Sequence, residues 1–369
     1  MSTTRFAALT LVLGGLGFGG AYVVMARMKR ALVDDRKWLD EAAFAEDAAV
    51  ANALPGTIAT NLVTLLGYRL GGWGPALAGT VSYALPSIVL MATFAAIYDH
   101  LRSLRILGGA LDGMSAAMVG VVAALVLELR KGSIRRSRDW LVAVAATIAL
   151  ATHALTLLEV VVLAGMAGIV GMRPRAARAT EKAVICLVVP PGIVGSALPA
   201  VVALFLVFAK IGVATFGGGL AMIPAIAREV TARQWLDDAT FADAIALSQI
   251  TPGPIATSAT FIGYRVAGFA GALSATLGVF VPPFVVTIFA ARSIASFRES
   301  EILQGFLRGI AAAVVGVIAA ASFALFAVAV HSSLAFGVAV GAFVLRVLSP
   351  RTSPALPLVM AGLMGALLK

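Results

Sequence analysis

Charged side chains are scarce in this 369-residue chain. Only 12% of its residues are Asp, Glu, Lys or Arg, whereas 60% are hydrophobic and the mean hydropathy is +0.99. A soluble domain carries about a quarter charged residues, and its interior at this size is too small to bury so much apolar surface. The shortage of charge therefore excludes a soluble globular protein. It predicts an all-α polytopic membrane protein with the lipid bilayer as solvent.

Cysteine and histidine are also rare. The single cysteine, Cys186, excludes a disulfide framework and any multi-cysteine metal site, and the three histidines are not clustered. No Walker, His-Glu-x-x-His or Gly-x-Ser-x-Gly motif occurs. We therefore expect no metal and no cofactor, and no ATP hydrolysis by this chain. An intramembrane enzyme, such as a lipid-modifying transferase, is the alternative of a different class, but the chain lacks a recognisable catalytic set.

The net charge of +10 does not indicate a nucleic-acid partner. The basic residues lie in short connectors between apolar runs, which is the positive-inside pattern of multi-pass membrane proteins. The predicted location is the bacterial inner (plasma) membrane.

The chain repeats itself at a spacing of 196 to 198 residues. Trp38-Leu39-Asp40 returns as Trp235-Leu236-Asp237, a shift of 235 − 38 = 197. So many ordered matches indicate a duplication, with an N-terminal repeat over 1–182 and a C-terminal repeat over 183–369. Further pairs are Pro55-Gly56 with Pro252-Gly253, Gly67-Tyr68-Arg69 with Gly263-Tyr264-Arg265, and Phe18-Gly19-Gly20 with Phe216-Gly217-Gly218.

Apolar runs predict about 12 to 13 transmembrane helices, since each needs about 20 apolar residues. The first of them, 6–26, resembles a signal peptide, but its Phe18-Gly19-Gly20 motif recurs in the second half, so we keep it as a helix. The first half predicts helices at 6–26, 48–69, 74–98, 107–129, 139–153 and 158–172, and the second at 198–225, 243–263, 267–291, 305–330, 334–348 and 354–368, with 183–197 as a further, broken span.

Loop charges predict that the two halves are inverted. The loop 130–138 has five basic residues in nine and is expected in the cytoplasm. Its counterpart, His331-Ser332-Ser333, has no fixed charge and is expected outside. Equivalent loops on opposite sides are the mark of inverted repeats, an architecture of secondary transporters.

Glycine and proline interrupt equivalent helices of both halves. In the second half the interruptions are Phe216-Gly217-Gly218-Gly219 and Thr251-Pro252-Gly253-Pro254, and in the first half Pro55-Gly56. A broken helix frees N–H groups and a positive dipole end that suit an anion, and paired breaks point to a transporter site. The alternative is that the glycines only permit close helix packing.

Polar side chains flank these breaks. Gln249 precedes the second break, and Asn52 holds the same place in the first, since 249 − 52 = 197. Thr257 and Thr60 follow the breaks at matching positions. These groups are candidates to hydrogen-bond an oxyanion, or alternatively to join neighbouring helices.

Three cations are candidate ligands of an anion. Lys210 lies in an apolar run with no acidic residue within ten positions, and an unpaired intramembrane lysine is expensive and usually functional. Its alternative is to extend towards the membrane interface. Arg69 and Arg265 are repeat equivalents whose planar guanidinium suits an oxyanion, although arginines at helix ends also act as topology anchors.

The motif order of the second half resembles the chromate ion transporter family. The matching residues are Lys210, Phe216 to Gly219, Pro224, Glu229, Trp235, Gln249, Pro252-Gly253-Pro254 and Gly263-Tyr264-Arg265. The resemblance implies a two-domain bacterial exporter of chromate, with sulfate, another tetrahedral dianion, as the competing substrate. A homodimer is left open.

The first half departs from that family pattern. It has Pro55-Gly56-Thr57 in place of Pro-Gly-Pro, Asn52 in place of glutamine, and Val12 at the position of Lys210. These differences predict an asymmetric site weighted towards the second half. The carboxylates that we consider for a counter-transported proton are Asp112 and Glu128.

Overall fold

The computed structural model describes residues 2–18, 21–171, 199–292, 300–349 and 352–368. Within these residues the chain forms fifteen α-helices and no strand. The predicted boundary between the halves at 182/183, the broken span 183–197, Gly19-Gly20 and Cys186 lie outside the described residues. The helices are α1 (Thr3–Gly15), α2 (Ala21–Lys29), α3 (Glu41–Ala53), α4 (Ile58–Gly71), α5 (Trp73–Ser103), α6 (Arg105–Ser133), α7 (Ser137–Ala151), α8 (Leu157–Val170), α9 (Ala200–Ala214), α10 (Ile223–Ala232), α11 (Asp238–Ile250), α12 (Ser258–Arg292), α13 (Glu301–Ala329), α14 (Ser333–Leu348) and α15 (Ala355–Leu368).

Four described helices, α5, α6, α12 and α13, are long and apolar enough to cross a bilayer, and α8, α9, α14 and α15 are shorter apolar helices. This confirms an all-α, multi-pass membrane protein. Several predicted spans are divided into shorter elements, because glycine and proline interrupt them. The run 48–69 becomes α3 and α4, and 243–263 becomes α11, a 3-10 turn at Ile255–Thr257 and the start of α12.

The two halves have the same internal packing. Gly14 lies against the backbone of Tyr83, and its counterpart Gly212 lies against that of Val279. Hydrogen bonds repeat as well: Thr64 bonds Thr80, and Thr260 bonds Thr276, both at 2.8 Å. These pairs differ by 196 to 198 residues, so the repeat in the sequence is a repeat in the fold.

The long helices exchange partners between the halves. Helix α6 packs against α14 and α15 of the second half, and α13 packs against α7 and α8 of the first. Glycines permit these contacts: Gly120 meets the backbone of Ala339, and Gly316 meets that of Ala143. Because 316 − 120 = 339 − 143 = 196, the exchange is symmetric, and the halves interlock rather than lie side by side.

Helices α6 and α13 pack together and run in opposite directions. Leu129 and Ser133, at the carboxyl end of α6, line one cavity together with Gln304 and Arg308, which lie near the start of α13. Since α6 and α13 are repeat equivalents, antiparallel packing relates the halves as inverted repeats.

Candidate functional site

The two Pro-Gly breaks cross at the junction between the halves. The N–H of Gly56 donates to the carbonyl of Thr215, at the end of α9, at 2.7 Å. The N–H of Gly253 donates over a longer 3.5 Å to the carbonyl of Gly17, just after α1. Each break therefore meets the first helix of the opposite half.

Only glycine fits at the centre of each break. Gly56 has φ +101° and Gly253 has φ +108°, a region that side chains with a Cβ rarely adopt. An added Cβ would lie 2.7 Å from Pro283 Cβ in the first case and 2.8 Å from Ser87 Cβ in the second. Pro283 on α12 and Ser87 on α5 are repeat equivalents, since 283 − 87 = 196, so equivalent positions pack against the two breaks.

Side chains satisfy the carbonyl groups that the breaks set free. Thr257 Oγ1 donates to the carbonyl of Pro254 at 2.8 Å and is 2.6 Å from Ser87 Oγ. Thr60 Oγ1 donates to the carbonyl of Thr57 at 2.9 Å, and Asn61 Nδ2 to that of Pro55 at 2.9 Å. The predicted residues Thr60 and Thr257 thus shape the breaks. The sequence reasoning missed Asn61 and Ser87.

Three further polar residues adjoin the breaks in different ways. Thr251 Oγ1 donates to the carbonyl of Ser248 at 3.1 Å, next to Pro252. Asn52 Nδ2 donates to the carbonyl of Ala48 at 2.7 Å. The Nε2 atom of Gln249 is buried and has no hydrogen-bond partner among the described residues, so it retains donors for a ligand.

The glycine run of the second half lies between the two breaks. A Cβ on Gly218 would lie 3.8 Å from Ile58, and one on Gly219 would lie 2.9 Å from Ile255. These isoleucines are repeat equivalents, since 255 − 58 = 197, and each follows its own Pro-Gly break. Gly217 and Gly218 have φ of +78° and +105°, so this run requires glycine. The glycine run, which follows α9, therefore contacts the segments after both Pro-Gly breaks.

A cavity of about 630 Å³ reaches this junction. Three predicted residues, Asn52, Phe216 and Gly217, line it together with Ile58, and two arginines, Arg135 and Arg308, line it as well. The arginines lie in the loop after α6 and near the start of α13. The cavity therefore connects a broken helix with a basic surface.

The predicted cations are all paired with carboxylates. Lys210 Nζ lies 3.9 Å from Glu229 Oε1, so the interpretation of Lys210 as an unpaired lysine is wrong. The reason is that α10 packs against α9, which brings together residues 19 positions apart in the sequence. Arg265 binds both carboxylate oxygens of Asp99 at 2.9 Å.

Arg69, the repeat equivalent of Arg265, is also neutralised. It binds both oxygens of the buried Asp47 at 2.7 and 2.8 Å and Glu46 at 2.8 Å. Lys210, Arg69 and Arg265 do not line the cavity of about 630 Å³. Their pairing favours anchoring roles over direct contact with an anion there.

A buried carboxylate that the sequence reasoning missed joins the two halves. Asp243 on α11 is 1% exposed. It accepts hydrogen bonds from Tyr98 at 2.7 Å, Ser115 at 2.8 Å and Arg102 at 3.1 Å, all in the first half. One signal pointed to it: Asp243 stands where Glu46 stands in the first repeat, since 243 − 46 = 197.

The two carboxylates that we considered instead lie in ion pairs. Asp112 binds Arg102 at 2.7 Å, and Glu128 binds Arg346. Within the described ranges no group of three or more His, Cys, Asp or Glu residues is arranged to hold a metal ion.

Comparisons with known proteins agree with this architecture. The profile of a family described as "Chromate transporter" matches residues 4–172 and again 202–366. A chromate transport protein of Cupriavidus metallidurans is 32% identical over 84% of this chain and 79% of its own length. A probable chromate transport protein of Synechococcus elongatus is 31% identical over 84% and 81%, and a chromate transport protein of Pseudomonas aeruginosa 30% over 87% and 80%. No solved structure matches the chain.

Proposed function

The chain belongs to the chromate transporter family, and from that premise we propose that it is a secondary transporter exporting an oxyanion, chromate in the first place, from the cytoplasm. We propose that it works in the bacterial inner membrane, and that its two repeats cover 1–182 and 183–369. A homodimer stays a prediction. Sulfate is the second candidate substrate because it is a tetrahedral dianion of similar size.

One observation carries the proposal: the cavity of about 630 Å³ ends at a broken helix in the interlocked junction of inverted halves. The N–H groups of Gly217 and Gly218 have no hydrogen-bond acceptor among the described residues. Broken helices at the repeat interface are where secondary transporters bind their substrates, and unpaired N–H groups suit an anion. We place the substrate beside Phe216 and Gly217.

Other predicted residues form the backbone and polar groups around this site. Gly218 and Gly219 hold the glycine run between the two breaks, and Gln249 offers an unpartnered amide. The second break consists of Thr251, Pro252, Gly253, Pro254 and Thr257. The first break consists of Pro55, Gly56 and Thr60. The second half contributes the glycine run, so the site is weighted towards it.

The membrane potential supplies a driving force for export. When one negative charge leaves a negative-inside cell, the free energy falls by about 2.3 kcal/mol per 100 mV. The fall is about twice as large for a dianion, so export needs no ATP hydrolysis by this chain. An intramembrane enzyme remains the alternative of a different class. Relatives named as transport proteins favour transport.

Uptake into everted membrane vesicles tests this function, because such vesicles present the cytoplasmic face to the medium. Vesicles that contain the protein are expected to take up labelled chromate, and more slowly sulfate, in a saturable manner without ATP. Uptake should respond to an imposed membrane potential. Vesicles from cells without the protein are the control. If neither oxyanion enters above that control, the oxyanion assignment is rejected.

A further inference from the structure

Four arginines, Arg135, Arg136, Arg138 and Arg308, line the mouth of the cavity. A second cavity, of about 480 Å³, adjoins the first, and the two share Ser133, Arg135, Arg308 and Ala311 in their walls. The second cavity adds Arg136 and Arg138 and one carboxylate, Asp139. The formal charge of this mouth is therefore 4 − 1 = +3.

The single carboxylate is already engaged. Asp139 Oδ2 accepts the backbone N–H groups of Arg135 at 2.9 Å and Arg136 at 2.8 Å, at the start of α7. In the part of the chain that the structure describes, no carboxylate lies within ion-pair distance of the side chains of Arg135, Arg136 or Arg308. These arginines differ in this respect from Arg69, Arg102 and Arg265, which are all paired.

Topology alone explains basic loops, but not this convergence. The positive-inside pattern requires only that basic residues lie on the cytoplasmic side. Here the loop after α6 and the start of α13, which are distant in sequence, bring Arg135 and Arg308 to the same cavity. The same cavity extends to Gly217 at the broken helix. Lys131 lies close by in sequence, in the last turn of α6, yet it lines neither cavity.

We infer that Arg135 and Arg308 form a capture site for a tetrahedral oxyanion dianion at the cytoplasmic mouth, ahead of the site at the breaks. This inference rests on the proposed function. Guanidinium groups bind such oxygens with paired N–H donors, and a basic cleft raises the local anion concentration. A volume of about 630 Å³ holds the ion with much of its hydration shell, since a water takes about 30 Å³. The captured anion is therefore only partly dehydrated.

The same chemistry suits the phosphate of an anionic lipid headgroup, so the experiment separates the two sources. The full-length protein is placed in nanodiscs of phosphatidylcholine alone, and equilibrium binding of labelled chromate and sulfate is measured. The variants are Arg135→Gln, Arg308→Gln and the pair together. Lys131→Gln is the matched control, because it removes one positive charge from the adjoining last turn of α6, and Lys131 lines neither cavity.

We expect the paired substitution to weaken chromate binding by about tenfold, because both charged donors are lost. Each single substitution should weaken it by about threefold, and Lys131→Gln by less than about 1.5-fold. The wild-type affinity should fall with added salt more steeply than that of the paired variant. An unchanged affinity in the paired variant overturns the inference. A difference that arises only after phosphatidylglycerol is added assigns the arginines to lipid and also overturns it.

The binding and uptake measurements distinguish a failure of the capture site from a failure of the proposed export function. If the wild type binds chromate through these arginines but everted vesicles take up none, the capture site stands and the proposed export function falls. If vesicles take up chromate while the paired variant binds it normally, the function stands and the capture site falls.

Discussion

The two ends of α6 lie beside equivalent helices of the two repeats but carry different side chains. At its carboxyl end, the arginine-lined cavity opens beside the start of α13. Near its amino end, Asp112 is the repeat equivalent of Arg308 and Ser115 that of Ala311, since 308 − 112 = 311 − 115 = 196. These two equivalents of cavity-lining residues belong to a network of hydrogen bonds and ion pairs. There Asp243, Arg102, Ser115 and Asp112 join three helices.

This comparison shows how similar halves make an asymmetric molecule. Residues 112 and 133 of α6 lie about 30 Å apart along the helix, which is the thickness of a bilayer core. The inverted repeats would otherwise present equivalent openings at both ends. A polar network joins the helices at one end, whereas arginines line a cavity at the other. A few residues, rather than the fold, therefore make the two ends of α6 chemically different.

The largest effect should come from breaking the network at Asp243. Asp243→Ala leaves the buried hydroxyls of Tyr98 and Ser115 without their acceptor and removes the buried partner of Arg102. Breaking a buried ion pair costs about 3–5 kcal/mol. Asp112→Ala is the matched control, because Asp112 binds the same arginine but is 41% exposed in its side chain. That loss should be about 1 kcal/mol or less. Unfolding in mixed detergent micelles compares the two variants. Equal losses would contradict the account, because they would show that burial does not set the cost of losing each carboxylate.

The next effect distinguishes Arg69 from Arg265. Arg69→Gln leaves the fully buried Asp47 unpaired and should cost about 3 kcal/mol. Arg265→Gln should cost less than about 1 kcal/mol, since its partner Asp99 is exposed. The same unfolding measurement applies.

A second substitution checks the cause of the Arg69 effect. Adding Asp47→Asn to Arg69→Gln removes the orphaned charge and should recover much of the stability. A larger loss from Arg265→Gln than from Arg69→Gln would contradict the account.

The two breaks should respond alike. Gly56→Ala and Gly253→Ala each place a methyl group against the opposite half at positive φ, which costs about 1–3 kcal/mol of strain. Each should slow chromate uptake by about tenfold, because the junction must shift to accommodate the methyl group. Gly268→Ala is the control, since Gly268 also has positive φ (+60°) but has open space around it. If Gly56→Ala transports normally, the first break does not contribute to the site.

The smallest effect should be that of Lys210→Met. Glu229 also binds Arg233 at 3.0 Å, so loss of the lysine leaves that carboxylate paired, and the stability change should be about 1 kcal/mol or less. The half-saturation concentration for chromate should change by less than about twofold. A loss of uptake at normal expression would return Lys210 to the anion site.

Much of the fold could be predicted, because a repeated sequence makes a repeated structure. Trp38 with Trp235 and Gly56 with Gly253 established the equivalence of the halves, and glycine and proline marked the breaks. The pairing of charges could not be predicted. Lys210 has no acid within ten positions, yet Glu229 reaches it because α9 and α10 pack together. Asp243 bonds a tyrosine 145 positions away.

The cavity was beyond sequence reasoning for the same reason. Arg308 and the loop 130–138 indicated orientation, but only the packing of α6 against α13 places Arg135 and Arg308 in one wall. Local patterns predict elements and interruptions, whereas contacts between distant helices decide which charges are neutralised.

Labelling of two equivalent serines tests the central claim most directly. Ser137 and Ser333 are repeat equivalents, since 333 − 137 = 196, and both are exposed. In a Cys186→Ser background, Ser137→Cys and Ser333→Cys are treated separately with a membrane-impermeant maleimide, in intact cells and in everted vesicles. We predict that Ser333→Cys reacts only in intact cells and Ser137→Cys only in everted vesicles. Reaction of both from the same side would contradict the inverted halves and the cytoplasmic opening.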